Sequence, residues 1–372
     1  MKEALLIIAP SERDADLYYA THFLAPDLFP FFQIGGERVI MISDLELGRA
    51  RGQAAVETIL PLQKYEERAK GRVERPTLLD AVDEALQERG VKHLLVPGSF
   101  PTEYADKLRA RGYEVRAKEG TFFEERLVKS EAEMGWIAET LRLAEEAMEI
   151  AIQAIREAEI REKTMYRGNQ RLTSEGLKRL IHHALLDRDC FAEHTIVACG
   201  EQGSDPHHEG TGPLMAHQPI VIDIFPRSRR TRYFADITRT VVKGHASPRV
   251  RQMYEAVLQA QERACALIRD GADGAAIHQE VVALFERLGF PTGEADGRMQ
   301  GFFHGTGHGL GLEIHEPPRI GKSGAVLRGG NVVTVEPGLY YPTEGGVRIE
   351  DVVVVTDTGC RTLTQFHKLL EL

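Results

Sequence analysis

The chain reads as two domains, a small α/β domain followed by a larger α+β domain, and three observations predict this. Its 372 residues suffice for two hydrophobic cores, and 42% hydrophobic with 27% charged residues is the balance of a soluble globular protein. The first third alternates short apolar runs with helical stretches. A long amphipathic helix follows it and gives way, from Thr195 onward, to strands, glycines and acidic residues. The domains are drawn at residues 1–125 and 126–372.

In the first domain LLIIA, RVIMIS and HLLVP read as strands. TLLDAVDEALQERG, from Thr77, and YADKLRARG, from Tyr104, read as helices that end in glycine. No motif in this domain carries chemistry. In the second domain Ser130 followed by Glu133 fits a capping box, and Ile137, Leu141, Ala144, Met148, Ala151 and Ile155 recur at helical spacing. Further helices are expected from Ser174 and over Pro248–Arg269. His182 and His183, on the first of these, read as surface or packing histidines.

Composition narrows the function. A formal charge of -10 argues against a general nucleic-acid binder, whose affinity comes from lysine and arginine on phosphate. Carboxylates outnumber basic groups 56 to 46, which leaves oxygen ligands for cations. The four cysteines, Cys190, Cys199, Cys265 and Cys360, form no C-x-x-C pair, so neither a zinc knot nor a disulfide framework is expected. The N-terminal apolar run, Ala4 to Ala9, reads as a buried strand rather than a signal peptide. No run approaches the roughly 20 apolar residues of a membrane helix. The expectation is a cytoplasmic protein without nucleic-acid or membrane partners.

The chemistry lies in four segments. VIDIF (Val221 to Phe225) and YFADITRTVV (Tyr233 to Val242) have strand composition and read as a hairpin, each strand carrying one aspartate, Asp223 and Asp236. Buried carboxylates are costly alone, so the two should share a cation or basic partners; a pair of turn or salt-bridged aspartates is the alternative. HGTGHGLGLEIHEPP places histidines at 304, 308 and 315. Gly305, Gly307 and Gly309 disfavour a helical zinc pair, and the glycines do not fit the dinucleotide fingerprint. An extended segment whose glycines let the backbone approach a ligand fits better, with three packed structural histidines as the alternative. Glu336 closes a strand before Pro337, and Glu350 falls in a second apolar strand. There Arg348 and Asp351 offer a local ion-pair cluster as the bland reading. Four carboxylates and one histidine form an oxygen-rich set suited to two divalent ions of the Mn, Co or Zn type. Two such ions about 3.5–4 Å apart can hold a hydroxide between them and polarise a peptide carbonyl.

With these residues in place, the sequence closely resembles the pita-bread metallopeptidases: aminopeptidase P, prolidase and methionine aminopeptidase. The resemblance covers roughly Glu131 to Leu363, where D…D-I-T-R-T, H-G-T-G-H-G-L-G-L-E-I-H-E, V-E-P-G and V-R-I-E-D follow in the family's order. It implies that Asp223, Asp236, His308, Glu336 and Glu350 are the metal ligands, with Asp236 and Glu350 bridging the ions. It also implies that His207 faces substrate and handles protons, with His208 an adjacent candidate. His315 would steady the oxyanion, His304 would line the proline pocket, Arg348 would orient carboxylates or the substrate's C-terminal end, and Glu336 would act as general base. The leading domain resembles a short form of the N-terminal domain of prolidase and aminopeptidase P, which methionine aminopeptidases generally lack. Creatinase shares the layout but not the metal ligands.

The resemblance therefore implies a pita-bread α+β catalytic domain behind a small creatinase-N-like domain, forming a homodimer. Its substrates would be short proline-containing peptides, cut at the Xaa-Pro bond by a metal-bridged hydroxide. The short leading domain tips the reading toward an Xaa-Pro dipeptidase, with an Xaa-Pro aminopeptidase as the alternative. One departure is the connection between the aspartates, twelve residues (224 to 235) where ten are common, with Phe225-Pro226 in place of the usual glycine. It also carries Arg227, Arg229, Arg230 and Arg232. It reads as a solvated hairpin tip or as a contact for a partner subunit or an anionic peptide end. Two other classes stay open. One is a cysteine hydrolase using Cys199 with His207 or His208. The other is a metal-containing binding protein without turnover.

Overall fold

The computed structural model describes residues 2–372. It separates into two compact units, Met1–Glu124 and Glu125–Leu372. Among the described residues no helix is long and apolar enough to cross a membrane.

In the first unit a mixed six-stranded sheet runs in the order Thr58–Pro61, Glu37–Ile42, Phe29–Ile34, Lys2–Ala9, Val91–Val96, Glu114–Ala117. The unbroken apolar run of the first strand follows from burial on both faces. Leu6 and Ile8 enter one core cluster while Ile7 enters the other, as the two-residue period of a strand requires. The strand Phe29–Ile34 was absent from the sequence reading. It lies inside the sheet although Pro30 removes a donor, because Pro30 faces Ile8 on one side only and pairing with Glu37–Ile42 begins at Phe31.

The second unit places helices outside strands. The helix Glu131–Glu157 begins at the expected capping box, with the Ser130 N–H donating to Glu133 at 2.7 Å and the Glu133 N–H to Ser130 Oγ at 3.3 Å. Helices Ser174–Leu186 and Pro248–Leu267 also match expectation, whereas Gly274–Arg287 was not read from the sequence. Three antiparallel strands, Ile196–Cys199, Pro219–Ile224 and Ile237–Val242, form one sheet. A five-stranded sheet runs Glu316–Ile320, Gly307–Gly309, Val332–Val335, Asp351–Val355, Cys360–Thr362. A single bridge, Thr238 to Glu350, joins the two sheets. Against the strands, Val250, Met253, Val257 and Ala264 of one helix and Ile277, Val281 and Phe285 of the next pack on Val333, Val335, Ile349 and Val353.

Two local expectations need correction. The strand expected over Tyr233–Val242 begins only at Ile237, so Asp236 sits just before it. Glu350 does not lie within a strand but between two, Gly345–Arg348 and Asp351–Val355. The arginine-rich connection has an exposed tip at Arg229 and Arg230, tethered by surface contacts. Arg227–Ser228 pairs with Cys190–Phe191, Arg230 meets Glu139 at 2.5 Å, and Arg229 meets Asp189 at 3.5 Å.

Candidate active site and metal centre

The bridge between the two sheets is where the chemistry-bearing residues meet. Asp223 leaves its strand next to the C-terminal end, opposite Thr238. The Glu350 N–H donates to Thr238 O at 3.1 Å, and Thr238 Oγ1 donates to a Glu350 carboxylate oxygen at 2.7 Å. Glu336 follows its strand directly and is pinned by its own N–H on Thr306 O at 2.8 Å. His308 enters from the short strand Gly307–Gly309. The glycines of that strand also serve the protein's own packing, while Gly305 and Gly307 line the cavity. A Cβ on Gly307 would lie 1.9 Å from Thr334 O, and one on Gly309 2.3 Å from Pro317 O. Only bare backbone lets these strands close around His308.

Asp236, His308 and Glu350 form a buried group whose ligand atoms lie within 4.8 Å of one another. His308 Nε2 is 3.3 Å from Glu336 and 3.7 Å from Asp236. Its other nitrogen, Nδ1, is 3.1 Å from Gly309 O, an acceptor only, so Nδ1 carries the proton and Nε2 presents a lone pair to two carboxylates. Burial and the neighbouring His315 hold the imidazole neutral, with a pKa pushed down to about 3. Burial, then Glu350, Asp223 and Glu336, hold Asp236 well above the usual carboxylate range; burial, Glu336 and Asp223 do the same to Glu350. Burial raises Glu336 to about 7 against the pull of Arg348.

Asp223 Oδ1, Asp236 Oδ1 and Glu350 Oε1 are buried without a protein partner. Orphaned carboxylate oxygens and an unprotonated imidazole nitrogen converging on one point fit divalent cations of intermediate softness. Three of the five residues predicted as ligands form this close group, and Asp223 and Glu336 line the same cavity, a donor set that suits such ions.

The local ion-pair cluster suggested for Arg348, Glu350 and Asp351 does not form. Arg348 reaches Asp223 at 2.7 Å, whereas Asp351 turns to Arg239 at 2.8 Å and Lys368 at 2.7 Å. Arg348 also donates to Tyr340 Oη at 2.9 Å and to Thr238 Oγ1 at 3.3 Å, so it is engaged in holding the site. Tyr340, missed in the sequence, donates a hydrogen bond from its hydroxyl to His304 Nε2 at 2.8 Å, since His304 Nδ1 faces Gly305 O at 2.8 Å. Burial keeps His304 neutral, down to about 3. The signal for Tyr340 was available: a buried tyrosine hydroxyl needs a partner.

His207, His304 and His315 line, with the acidic cluster, a cavity of about 660 Å³ whose apolar walls include Ile196, Phe225 and Ile314. His315 packs edge-on to His308, ring centroids 4.3 Å apart. His208 instead accepts a hydrogen bond from the Gly210 N–H at 2.9 Å. Arg319, which the sequence reading passed over, also lines the cavity, exposed and without an acidic partner among the described residues. Cys199 is outside this lining, its thiol raised to about 11 by burial, which does not suit a nucleophile.

Comparison with known proteins follows the same lines. A family model, Metallopeptidase family M24, matches residues 136–357. The chain is similar to an Xaa-Pro dipeptidase of Pyrococcus horikoshii, 29% identical over 90% of this chain and 86% of that one. It is 32% identical to an Xaa-Pro dipeptidase of Pyrococcus furiosus over 66% of this chain and 65% of that one. An X-Pro aminopeptidase structure from Thermotoga maritima superimposes with a TM-score of 0.82 at 23% identity, covering 100% of this chain and 98% of that one. The likenesses give the fold as the pita-bread α+β type.

Proposed function

Because the chain belongs to metallopeptidase family M24, we propose that it hydrolyses the bond before proline in short peptides, with Xaa-Pro dipeptides as its main substrates. The curated relatives from the two Pyrococcus species carry that activity in their names. The observation that carries the dipeptide reading is Arg319, an exposed guanidinium in the cavity wall close enough to His315 and Glu336 to act on their charges. A free substrate carboxylate one residue beyond the scissile bond would find its counter-charge there.

Asp223, Asp236, His308, Glu336 and Glu350 would hold two divalent ions of the Mn, Co or Zn type. When bound, such ions supply Lewis acidity to the scissile carbonyl and acidify water. The chain's own groups then divide the work. Glu336 takes a proton from the attacking water and returns it to the departing proline nitrogen. His315, at the cavity rim, donates to the developing oxyanion. His207, which lines the same cavity, assists proton transfer, and His304, kept neutral by burial, offers a ring face to the pyrrolidine. Arg348 keeps the Asp223 carboxylate aimed at the centre. A homodimer in the cytoplasm is part of this proposal and is supported by the family resemblance alone.

Hydrolysis of Ala-Pro and Ala-Pro-Ala by chelator-stripped protein, before and after adding Mn²⁺, Co²⁺ or Zn²⁺, tests the reading. Metal-restored cleavage with Ala-Pro preferred is expected. Preference for Ala-Pro-Ala would move the assignment to an aminopeptidase. Tight peptide binding without cleavage under any metal would make the chain a binding protein.

A further inference from the structure

The helix Pro248–Leu267 lays an apolar row, Val250, Met253, Val257 and Ala264, against the strands that lead into Glu336 and Glu350. Gln261 stands in the same row and is only 1% exposed. Its side-chain Nε2 donates to Val335 O at 3.0 Å and to Ile349 O at 3.3 Å. These two carbonyls belong to the peptide bonds whose nitrogens are those of Glu336 and Glu350. One amide group thus spans the two main-chain segments that deliver two of the carboxylates. Its Oε1 is buried and has no protein partner. A half-satisfied buried amide is destabilising, and methionine or leucine would fill the row without an unpartnered side-chain oxygen. Packing alone does not call for glutamine here.

We propose that Gln261 is a positioning residue for the metal centre. It fixes the separation of the main-chain segments that carry Glu336 and Glu350 by holding the carbonyl before each. The inference rests on the ligand assignment proposed above. Groups that orient metal ligands typically contribute 10–100-fold to metal affinity.

The test is a Co²⁺ titration of the chelator-stripped full chain, followed by its visible absorption spectrum. Gln261→Met is expected to raise the Co²⁺ Kd about 10–100-fold and to alter the spectrum. Val257→Ala, a cavity on the same helix, is expected to lower Tm while leaving Kd and spectrum as in the parent. Gln261→Glu, which keeps the shape and one donor when protonated, should fall between, and it decides the matter if Gln261→Met does not fold. A parental Kd and spectrum in the Gln261 variant overturn the proposal. Asp236→Asn separates the two levels. If it also binds Co²⁺ as the parent does, the ligand assignment has failed; if it alone loses Co²⁺, only the role of Gln261 has.

Discussion

Thr238 and Glu350 are fastened twice, by the Glu350 N–H on Thr238 O at 3.1 Å and by Thr238 Oγ1 on the Glu350 carboxylate at 2.7 Å. The same hydroxyl accepts from Arg348 Nε at 3.3 Å, so one threonine links the arginine that holds Asp223 to the glutamate at the sheet junction. Thr238→Val keeps the shape and removes the hydroxyl. Metal affinity should fall about 10-fold or more, with far-UV circular dichroism unchanged. Unchanged affinity by calorimetry would show that the main-chain bond alone orients Glu350.

Among the described residues Arg348 is the one cation paired with Asp223, and both are buried. Arg348→Met leaves that carboxylate uncompensated. The metal-free chain should lose roughly 3–5 kcal/mol in urea unfolding, and divalent ions should recover part of it. A loss below about 1 kcal/mol would mean that Asp223 is already held protonated or solvated.

The metal-free chain should respond to pH through Glu336, whose folded pKa of about 7 lies above the ordinary carboxylate value of 4.5. The folded state then keeps a proton that the unfolded chain releases. That contribution is complete below pH 4.5 and is lost as pH rises through about 7. Its size is on the order of 3 kcal/mol. Denaturant midpoints between pH 5 and 8 should therefore fall more steeply in the parent than in Glu336→Gln, with both proteins chelator-stripped. Parallel curves for the two proteins would remove Glu336 as the source.

Arg319→Ala should raise KM for Ala-Pro and cost about 10–100-fold in kcat/KM, while hydrolysis of Ala-Pro-amide, which lacks the carboxylate, changes little. Equal losses on both substrates would assign Arg319 to shaping the cavity instead of reading the substrate's end.

The sequence by itself determined the helices with strong periodicity and caps, such as Glu131–Glu157 behind Ser130, because local hydrogen bonds and a single apolar stripe suffice for them. It also pointed to the five residues that converge, since carboxylates and a histidine among apolar strand residues need a shared reason. What only the tertiary structure decided is which neighbour each charge takes. Arg348 lies two residues from Glu350 yet pairs with Asp223, and Asp351 turns to Arg239, because partners here are chosen across sheets rather than along the chain. Gln261 and Arg319 were illegible for the same reason, and the partner of Tyr340, though not its need for one, was as well. A buried amide, a lone guanidinium and a phenol acquire meaning only when folding brings distant segments within hydrogen-bond reach of the site.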